Sequence, residues 1–205
     1  MTIDLRQLPQ IQPLFKLLSS GAHLNRLQDN ELWVELENHQ GQYETLFAAL
    51  GFILVMDGRG FAYFKTELAT SYTGKLTRRL ALLLMLLFEY QADQGLHLFQ
   101  FQQWRLDMPL IDKLCQHYHA ILEAEEIGNP QALKEILDSA ARIGFLVTED
   151  GTYRLLTAVH RYLDLFEELG QAERPDQVQA EEVQDVPNAE NAGAFFCGET
   201  GEDTL

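Results

Sequence analysis

The segment "CQHYH" at positions 115–119 brings together side chains that could bind a metal. Cys115, His117 and His119 are all ligand types for zinc, but a structural zinc site needs about four converging ligands. On a helix, Cys115 and His119 share one face because they are four residues apart, whereas His117 points elsewhere. No second cluster supplies further ligands, and Cys115 falls on an apolar stripe. The pattern therefore favours a core cysteine beside surface histidines, and we expect no metal and no cofactor.

Signatures of catalysis are also missing from the sequence. There is no Gly-x-Ser-x-Gly elbow to present a nucleophilic serine. The segment "DGRG" at positions 57–60 has the character of a hairpin turn, not of a strand-to-helix loop that cradles phosphates. Carboxylate pairs are common, as in any acidic protein, and none is singled out by an apolar setting. We therefore expect a protein without enzymatic activity.

One basic cluster stands out in a chain whose net charge is −16. Five basic residues lie between positions 59 and 79, accompanied by a single acid, Glu67. The simpler interpretation is a solvated helix start that offsets nearby acids. The functional interpretation is a non-specific contact with DNA phosphates, whose affinity falls steeply as salt rises. Its candidate residues are Arg59, Lys65, Lys75, Arg78 and Arg79.

These candidates must be positioned by a hairpin motif that the sequence contains twice. "LGFILVMDGRGFAYF" begins at Leu50, and "IGFLVTEDGTYRLL" begins at Ile143. Each has an aliphatic-Gly-Phe step, an apolar stretch, an acidic-Gly turn and a second apolar stretch, which predicts a β-hairpin. Helical periodicity precedes both, so Gly51 and Gly144 are expected to end helices in the left-handed conformation.

The elements before each hairpin predict the same order in both halves. Asp107–Pro109 and Asn129–Pro130 have the pattern of helix starts. An apolar stripe follows from Leu110 to Leu122, with Ile121 among its members, and a last amphipathic helix is expected over residues 158–169. Three helices and a hairpin form a winged-helix unit. The predicted fold class is therefore mainly α with short β-hairpins (α+β), as tandem winged-helix domains with a C-terminal helix.

The predicted domain boundaries follow from this order and from a change in composition. Residues 1–70 form the first winged-helix unit, and residues 71–170 form the second unit with its trailing helix. Residues 171–205 contain nine acids and one base and lose the hydrophobic periodicity, which predicts a disordered acidic tail. Within that tail, the apolar segment "GAFFCG" at 193–198 is either incidental or a short motif that docks on a partner.

The sequence favours a cytoplasmic protein. Its opening, "MTIDLRQLPQ", lacks the charged and apolar regions of a secretory leader. The longest apolar run, Leu80 to Phe88, is too short to cross a bilayer and is typical of a buried helix. We therefore expect no membrane contact.

Winged helices often bind DNA, yet the helices before the two hairpins are poorly suited to reading bases. The first, "QYETLFAAL", has no basic residue. In the second, Lys134 and Arg142 are offset by Glu135 and Asp138. Base readout depends on exposed Arg, Lys, Asn or Gln side chains. Because neither helix meets this requirement, a transcriptional regulator that binds an operator is kept only as the alternative hypothesis.

Three segments resemble the MksE family, the MukE-like kite subunit of the bacterial MksBEF condensin. They are "LPQIQPLFKLLSSGAHLNR", "LWVELENHQGQYETLFAALGF" and the hairpin "DGRGFAYF", which together cover about the first 64 residues. The second half matches in layout more than in wording. ScpB-type kite subunits share the architecture, but the opening segment does not resemble theirs.

This resemblance implies a non-catalytic subunit that forms homodimers and binds the kleisin (MksF-like) of an SMC complex. Through the kleisin it would support an SMC ATPase (MksB-like) in chromosome organisation, segregation or plasmid defence, in a nucleoid-associated location. The resemblance also strengthens the case for non-specific contact with duplex DNA. Candidate residues for the dimer or kleisin interface, each more readily explained as a core residue because a small unit buries most of its aromatic side chains, are Trp33, Tyr43, Phe61, Tyr63, Phe64, Trp104, Tyr118 and Tyr162.

Overall fold

Short helices and two antiparallel hairpins alternate along the chain. A computed structural model of the protein describes residues 5–65 and 71–172. The first half contains a 3₁₀ turn (Leu5–Gln7), α1 (Ile11–Ser19), β1 (Leu24–Asn25), α2 (Asn30–Asn38), α3 (Gln40–Ala49), β2 (Ile53–Asp57) and β3 (Phe61–Lys65). The second half contains α4 (Ser71–Asp93), a 3₁₀ helix (Leu98–Gln103), α5 (Met108–His117), α6 (His119–Ala124), α7 (Pro130–Arg142), β4 (Leu146–Glu149), β5 (Thr152–Leu155), a 3₁₀ turn (Thr157–Val159) and α8 (His160–Ala172). The mainly helical α+β composition confirms that part of the predicted fold class.

Both predicted hairpins are present, and both are entered in the same way. Gly51 and Gly144 have φ angles of +84° and +81°. The Gly51 and Phe52 amides donate to the carbonyls of Ala48 and Phe47, at 3.0 and 2.9 Å. In the second half the Gly144 and Phe145 amides bond to the equivalent carbonyls at the end of α7, at 3.2 and 2.9 Å. The repeated Gly-Phe step is thus a repeated helix ending, in which a left-handed glycine satisfies the last carbonyls.

Each hairpin also pairs with a short segment that the sequence did not predict. The first sheet has the order β1-β3-β2, with Leu24 opposite Ala62 and Val55 opposite Tyr63. In the second sheet, β5 pairs with β4 and also forms a bridge to Leu106, just before α5. In both halves, therefore, the second strand of the hairpin pairs with a short segment that follows the first helix, just before α2 in the first half and just before α5 in the second.

The helix starts of the second half are confirmed, but its long apolar stripe is interrupted. The Asp107 carboxylate accepts from the Leu110 amide at 2.9 Å, and the Asn129 side chain accepts from the Ala132 amide at 2.8 Å. These are N-caps, each followed by a proline in the first turn. The stripe divides into α5 and α6 because the backbone leaves the helical region at Tyr118. This turn points Ile121 outward, 47 % exposed, so its prediction as a stripe member was wrong.

Two hydrophobic cores flank the first sheet. Because side chains alternate across a strand, β3 presents one face to each core. Ala62 and Phe64 lie in the core of the first half. Phe61, fully buried, lies in a core whose other members come from residues 80–162, and Tyr63 packs against that core. The central strand of the first sheet therefore belongs to both halves.

Several predictions fall outside the described residues. The acidic tail does so from residue 173 onward, together with "GAFFCG" at 193–198, and the boundary at residue 70 lies in the undescribed stretch 66–70. By internal contacts, the chain forms one compact unit up to Glu167, and a second unit begins at Glu168. Of the helices that the structure describes, none is both long enough and apolar enough to span a membrane.

Candidate functional site

The predicted phosphate contacts divide between two places in the fold. Lys75, Arg78 and Arg79 lie together on the first turns of α4. Arg59 lies in the turn between β2 and β3, and Lys65 is the exposed last residue of β3. The structure thus joins three of the five basic residues on one helix.

The α4 basic group faces acids that follow α6. Lys75 Nζ lies 3.9 Å from Glu126 Oε2, and Arg79 Nη2 lies 3.4 Å from the same oxygen. Arg78 pairs with the carboxylate of Glu125. The side chains of Lys75 and Arg78 are 64 % and 73 % exposed, so these ion pairs are largely solvated. Solvated pairs of this kind contribute little to stability, which leaves the basic groups available to a stronger anion.

Arg59 is held much more firmly than the α4 group. Its guanidinium donates to both carboxylate oxygens of Asp57, at 2.8 and 2.6 Å. It also donates to both oxygens of Asp164 on α8, at 2.7 and 2.6 Å. The hydrogen bonds that Arg59 donates to Asp164 and Asp57 raise the pKa of its guanidinium, and the same bonds lower the pKa of both carboxyls. Arg59 therefore connects the first hairpin to α8.

The Arg59 clamp, formed by Arg59 with Asp57 and Asp164, is accompanied by a buried polar junction. This junction joins the two halves of the chain through His23. The ring is 4 % exposed and packs against Phe145 with a centroid distance of 4.4 Å. Nδ1 donates to the carbonyl of Ile143 at 2.9 Å, and Nε2 accepts from Nη1 of Arg161 at 2.6 Å. The same guanidinium lies 3.8 Å above the ring of Tyr63. Burial, opposed by the bond to Ile143 and assisted by Arg161, lowers the pKa of His23 to about 4.

Asn25 completes the junction. It is 1 % exposed, and its amide nitrogen donates to the carbonyl of Gly144 at 2.8 Å. Its carbonyl oxygen accepts from the hydroxyl of Thr157 at 3.2 Å. Buried polar groups are costly unless they are paired, so these bonds fix one relative placement of the halves. Sequence reasoning missed His23 and Asn25; the only signal was two polar residues in the otherwise apolar "AHLN" segment.

Most of the aromatic residues predicted for an interface lie in the two cores. Trp33, Tyr43 and Phe64 belong to the first core, whereas Phe61, Trp104, Tyr118 and Tyr162 belong to the second. All seven are at most 8 % exposed. Tyr63 is half-buried under Arg161. Apolar surface is instead provided by residues that the sequence did not single out, among them Phe99, which is 89 % exposed, and Leu50 and Ile53, which are 55 % and 53 % exposed.

The remaining candidates for chemistry are separated in space. Cys115 is buried, whereas His117 and His119 are exposed, as the sequence indicated. Burial and the nearby Asp112 raise the pKa of the Cys115 thiol. Within residues 5–65 and 71–172, no group of three or more His, Cys, Asp or Glu side chains is placed to hold a metal ion.

The helix before the second hairpin uses its basic residues internally. Lys134 Nζ donates to Asp138 Oδ2 at 2.7 Å, and Asp138 also accepts from the hydroxyl of Tyr153. The guanidinium of Arg142 donates to the hydroxyl of Ser139 at 2.8 Å. These bonds direct both cations along α7 toward its own side chains.

Comparison with protein families gives a match. Residues 9–167 match the family model described as "Condensin complex protein MksE", which is well over half of the 205-residue chain. No curated protein matches the chain. The matched region contains both hairpins, the α4 basic group and the polar junction.

The close approach at Gly144 predicts a large effect of a single methyl group. A Cβ at this position would lie 2.4 Å from the His23 carbonyl, in addition to the left-handed strain. We expect Gly144→Ala to lower the free energy of unfolding by roughly 2–5 kcal/mol, combining strain with overpacking. Gly151→Ala is the matched control, because Gly151 has a φ of +77° with open space around its Cβ. Urea denaturation that gives equal losses for the two variants would contradict a tight junction.

The burial of His23 also predicts a pH dependence. Its pKa is about 4 when folded and near 6.5 when unfolded, so the unfolded chain binds the proton more tightly. The stability contribution is complete above pH 6.5 and is lost as the pH falls toward 4. We expect protonation of His23 in the unfolded chain to lower the free energy of unfolding by about 2 kcal/mol between pH 7 and pH 5, measured by urea denaturation.

The matched variants separate His23 from the other titrating groups. His23→Asn should lose this part of the pH dependence, whereas His39→Asn, at a partly exposed position, should retain it. In the wild-type protein, the His23 ring should titrate near pH 4 by NMR. A ring that titrates near pH 6.5 would show that it is not sealed between the halves.

Proposed function

This chain belongs to the MksE family of condensin complex proteins, and on that premise we propose that it is a non-catalytic, kite-type subunit that homodimerises and binds a kleisin. The match over residues 9–167 is the observation that carries this proposal, because it spans both halves of the chain. The kleisin (MksF-like) connects the subunit to an SMC ATPase (MksB-like). The assembly acts at the nucleoid in chromosome organisation, segregation or plasmid defence.

We also propose that each half is a winged-helix unit. The supporting observation is the shared topology: helices, a left-handed glycine, a hairpin, and a pairing of its second strand with the short segment just before α2 or α5. In the second half that pairing consists of two hydrogen bonds between Leu106 and Tyr153, at 2.9 and 3.0 Å. In the first half, β1 takes the same position. Such duplicated units suit a subunit that presents surfaces to several chains.

A scaffold benefits from the way the two halves are joined. The His23 and Asn25 junction and the Arg59 clamp each connect residues more than 100 positions apart, and Tyr63 of the shared strand β3 lies under Arg161. Sites on different halves are therefore held at a fixed separation. A kleisin segment that contacts both halves encounters a preformed surface, which lowers the entropic cost of binding.

The α4 basic group is the proposed place of contact with duplex DNA. Its exposed pairs with Glu125 and Glu126 can be replaced by pairs with phosphates at little cost. Contacts of this type do not discriminate between sequences. This matches a subunit that lies beside DNA without reading it.

A transcriptional regulator is the competing function. It would be supported by unpaired basic side chains on the exposed face of α7, the helix before the second hairpin. Lys134 is instead paired with Asp138, in contact with Tyr153. A regulator would bind a defined duplex tightly, and Lys134→Ala would weaken it. The condensin subunit requires neither property.

Co-purification tests the proposed function directly. The full chain is expressed with the kleisin encoded beside it, and the mass of the complex is measured by light scattering. We expect two copies of this chain in the complex, and a kleisin fragment at 100 times its Kd should stabilise the folded chain by about 2.7 kcal/mol. A fragment of scrambled sequence is the control. A chain that ignores the kleisin but binds one defined duplex would replace this proposal with the regulator.

Charge variants test the DNA contact separately. The double variant Glu125→Gln/Glu126→Gln should bind duplex DNA more tightly than the wild type, because it frees the α4 cations. The double variant Lys75→Ala/Arg78→Ala should bind more weakly and reduce the salt slope by about 2, equally for any sequence. Lys16→Ala, which removes an exposed cation from α1, is the matched control. Fluorescence anisotropy in which all these proteins bind equally would exclude α4 as the contact.

A further inference from the structure

The strand β2 leaves one edge of the first sheet open. It is the outer strand in the order β1-β3-β2, and among the described residues it pairs with β3 alone. In an antiparallel pair, the N–H and C=O groups of alternate residues face the partner strand. Those of the intervening residues therefore point away from β3, as a row of hydrogen-bonding groups available to another strand.

The composition of β2 favours pairing with a further strand. Four of its five residues, from Ile53 to Met56, are apolar, and the strand contains no Lys, Arg or Pro. Proteins usually protect exposed edges with such residues or with bulges. The open edge of β4 differs, because it ends in exposed Thr148 and Glu149. The charge at the end of β2, Asp57, is already bound by Arg59.

Exposed apolar side chains are found in β2 and just before it in the sequence. Ile53 and Leu50 are about half exposed, although both are large aliphatic residues. Val55, at the centre of the strand, is half-buried opposite Tyr63 of β3. Single exposed apolar residues are common, but Ile53 belongs to the edge strand itself and Leu50 comes three residues before it, at the end of α3.

We propose that β2 pairs antiparallel with β2 of a second copy of this chain, about a two-fold axis at Val55. The pairing rests on the homodimerisation proposed above and specifies its mode. Centring on Val55 is the register that pairs all five residues of the strand. Leu54 then lies opposite Met56 of the other copy, and Ile53 lies opposite Asp57. A two-fold axis makes the contact isologous and closed, which is the commonest arrangement of dimers.

The charge distribution favours a second copy as the occupant. This register places no like charges opposite one another, and the two Asp57 residues are separated by four residue steps, about 13 Å. Residues 1–70 contain five basic and eight acidic side chains, so only −3 of the net charge of −16 belongs to the half that carries the edge. Two such halves can approach without strong mutual repulsion.

A charge-swap experiment on the full chain tests the pairing and its register. Val55→Asp and Val55→Lys each place like charges face to face at the axis, and each variant alone should be monomeric by light scattering. An equimolar mixture should regain the dimer mass, because opposite charges then face one another. We expect self-association to weaken at least tenfold in each variant and to recover in the mixture. Val34→Asp on α2 is the matched control, since Val34 is 43 % exposed and distant from β2 in sequence.

The alternative outcomes distinguish this proposal from the proposed function. Rescue by mixing cannot come from unfolded chains. Circular dichroism shows whether each variant alone is folded, and folded variants that do not regain the dimer on mixing would overturn the pairing at Val55. Dimers that persist in both Val55 variants would overturn strand pairing and leave homodimerisation intact. Variants that stay dimeric but lose the kleisin would show that the edge accepts a kleisin strand instead. A wild-type chain that is monomeric at every concentration would remove homodimerisation itself.

Discussion

The arrangement of this protein depends on a buried polar junction that must be fully paired. His23 and Asn25 are almost inaccessible, and their partners, the carbonyls of Ile143 and Gly144, lie 120 and 119 positions further along the chain. An unpaired polar group at this depth would cost about 1–3 kcal/mol, whereas the free energy of unfolding of a typical domain is only about 5–15 kcal/mol. Any rotation of one half against the other would break several of these bonds together. The junction therefore selects a single arrangement rather than merely adding to its stability.

The shared strand β3 explains why the junction has this position. One face of the strand packs in the first core, and the other face carries Phe61 into the second. A sheet that is covered on both faces resembles the interior of a larger fold, and its hydrogen-bonding capacity then remains only at its edges. The two edge strands are β1, which has two residues, and β2, which has five, so β2 offers the longer edge at which the sheet can grow. The constraint that joins the halves thus also leaves one defined edge for association.

Much of the local structure could be predicted from the sequence because its signals are local. The glycine at each helix end, the capped helix starts and the two hairpin turns are specified by neighbouring residues, and the family resemblance was visible in the first 64 positions. The relations between distant residues were not predictable in this way. Arg59 has the appearance of a free cation in a turn, yet its partner Asp164 is 105 positions away. The aromatic residues are equally ambiguous, because a ring that suits an interface also suits a core.

The contrast between the two basic groups bears on how an acidic subunit can lie beside DNA. Arg59 has both sides of its guanidinium occupied by carboxylates, so a phosphate would have to displace two bidentate partners. The cations of α4 have longer or more solvated pairs with Glu125 and Glu126. A duplex therefore gains more by replacing the α4 pairs than by opening the Arg59 clamp. In the proposed complex, Glu125 and Glu126 would offset two of the three α4 cations until a polyanion is held close, so contact with DNA would follow from assembly rather than cause it.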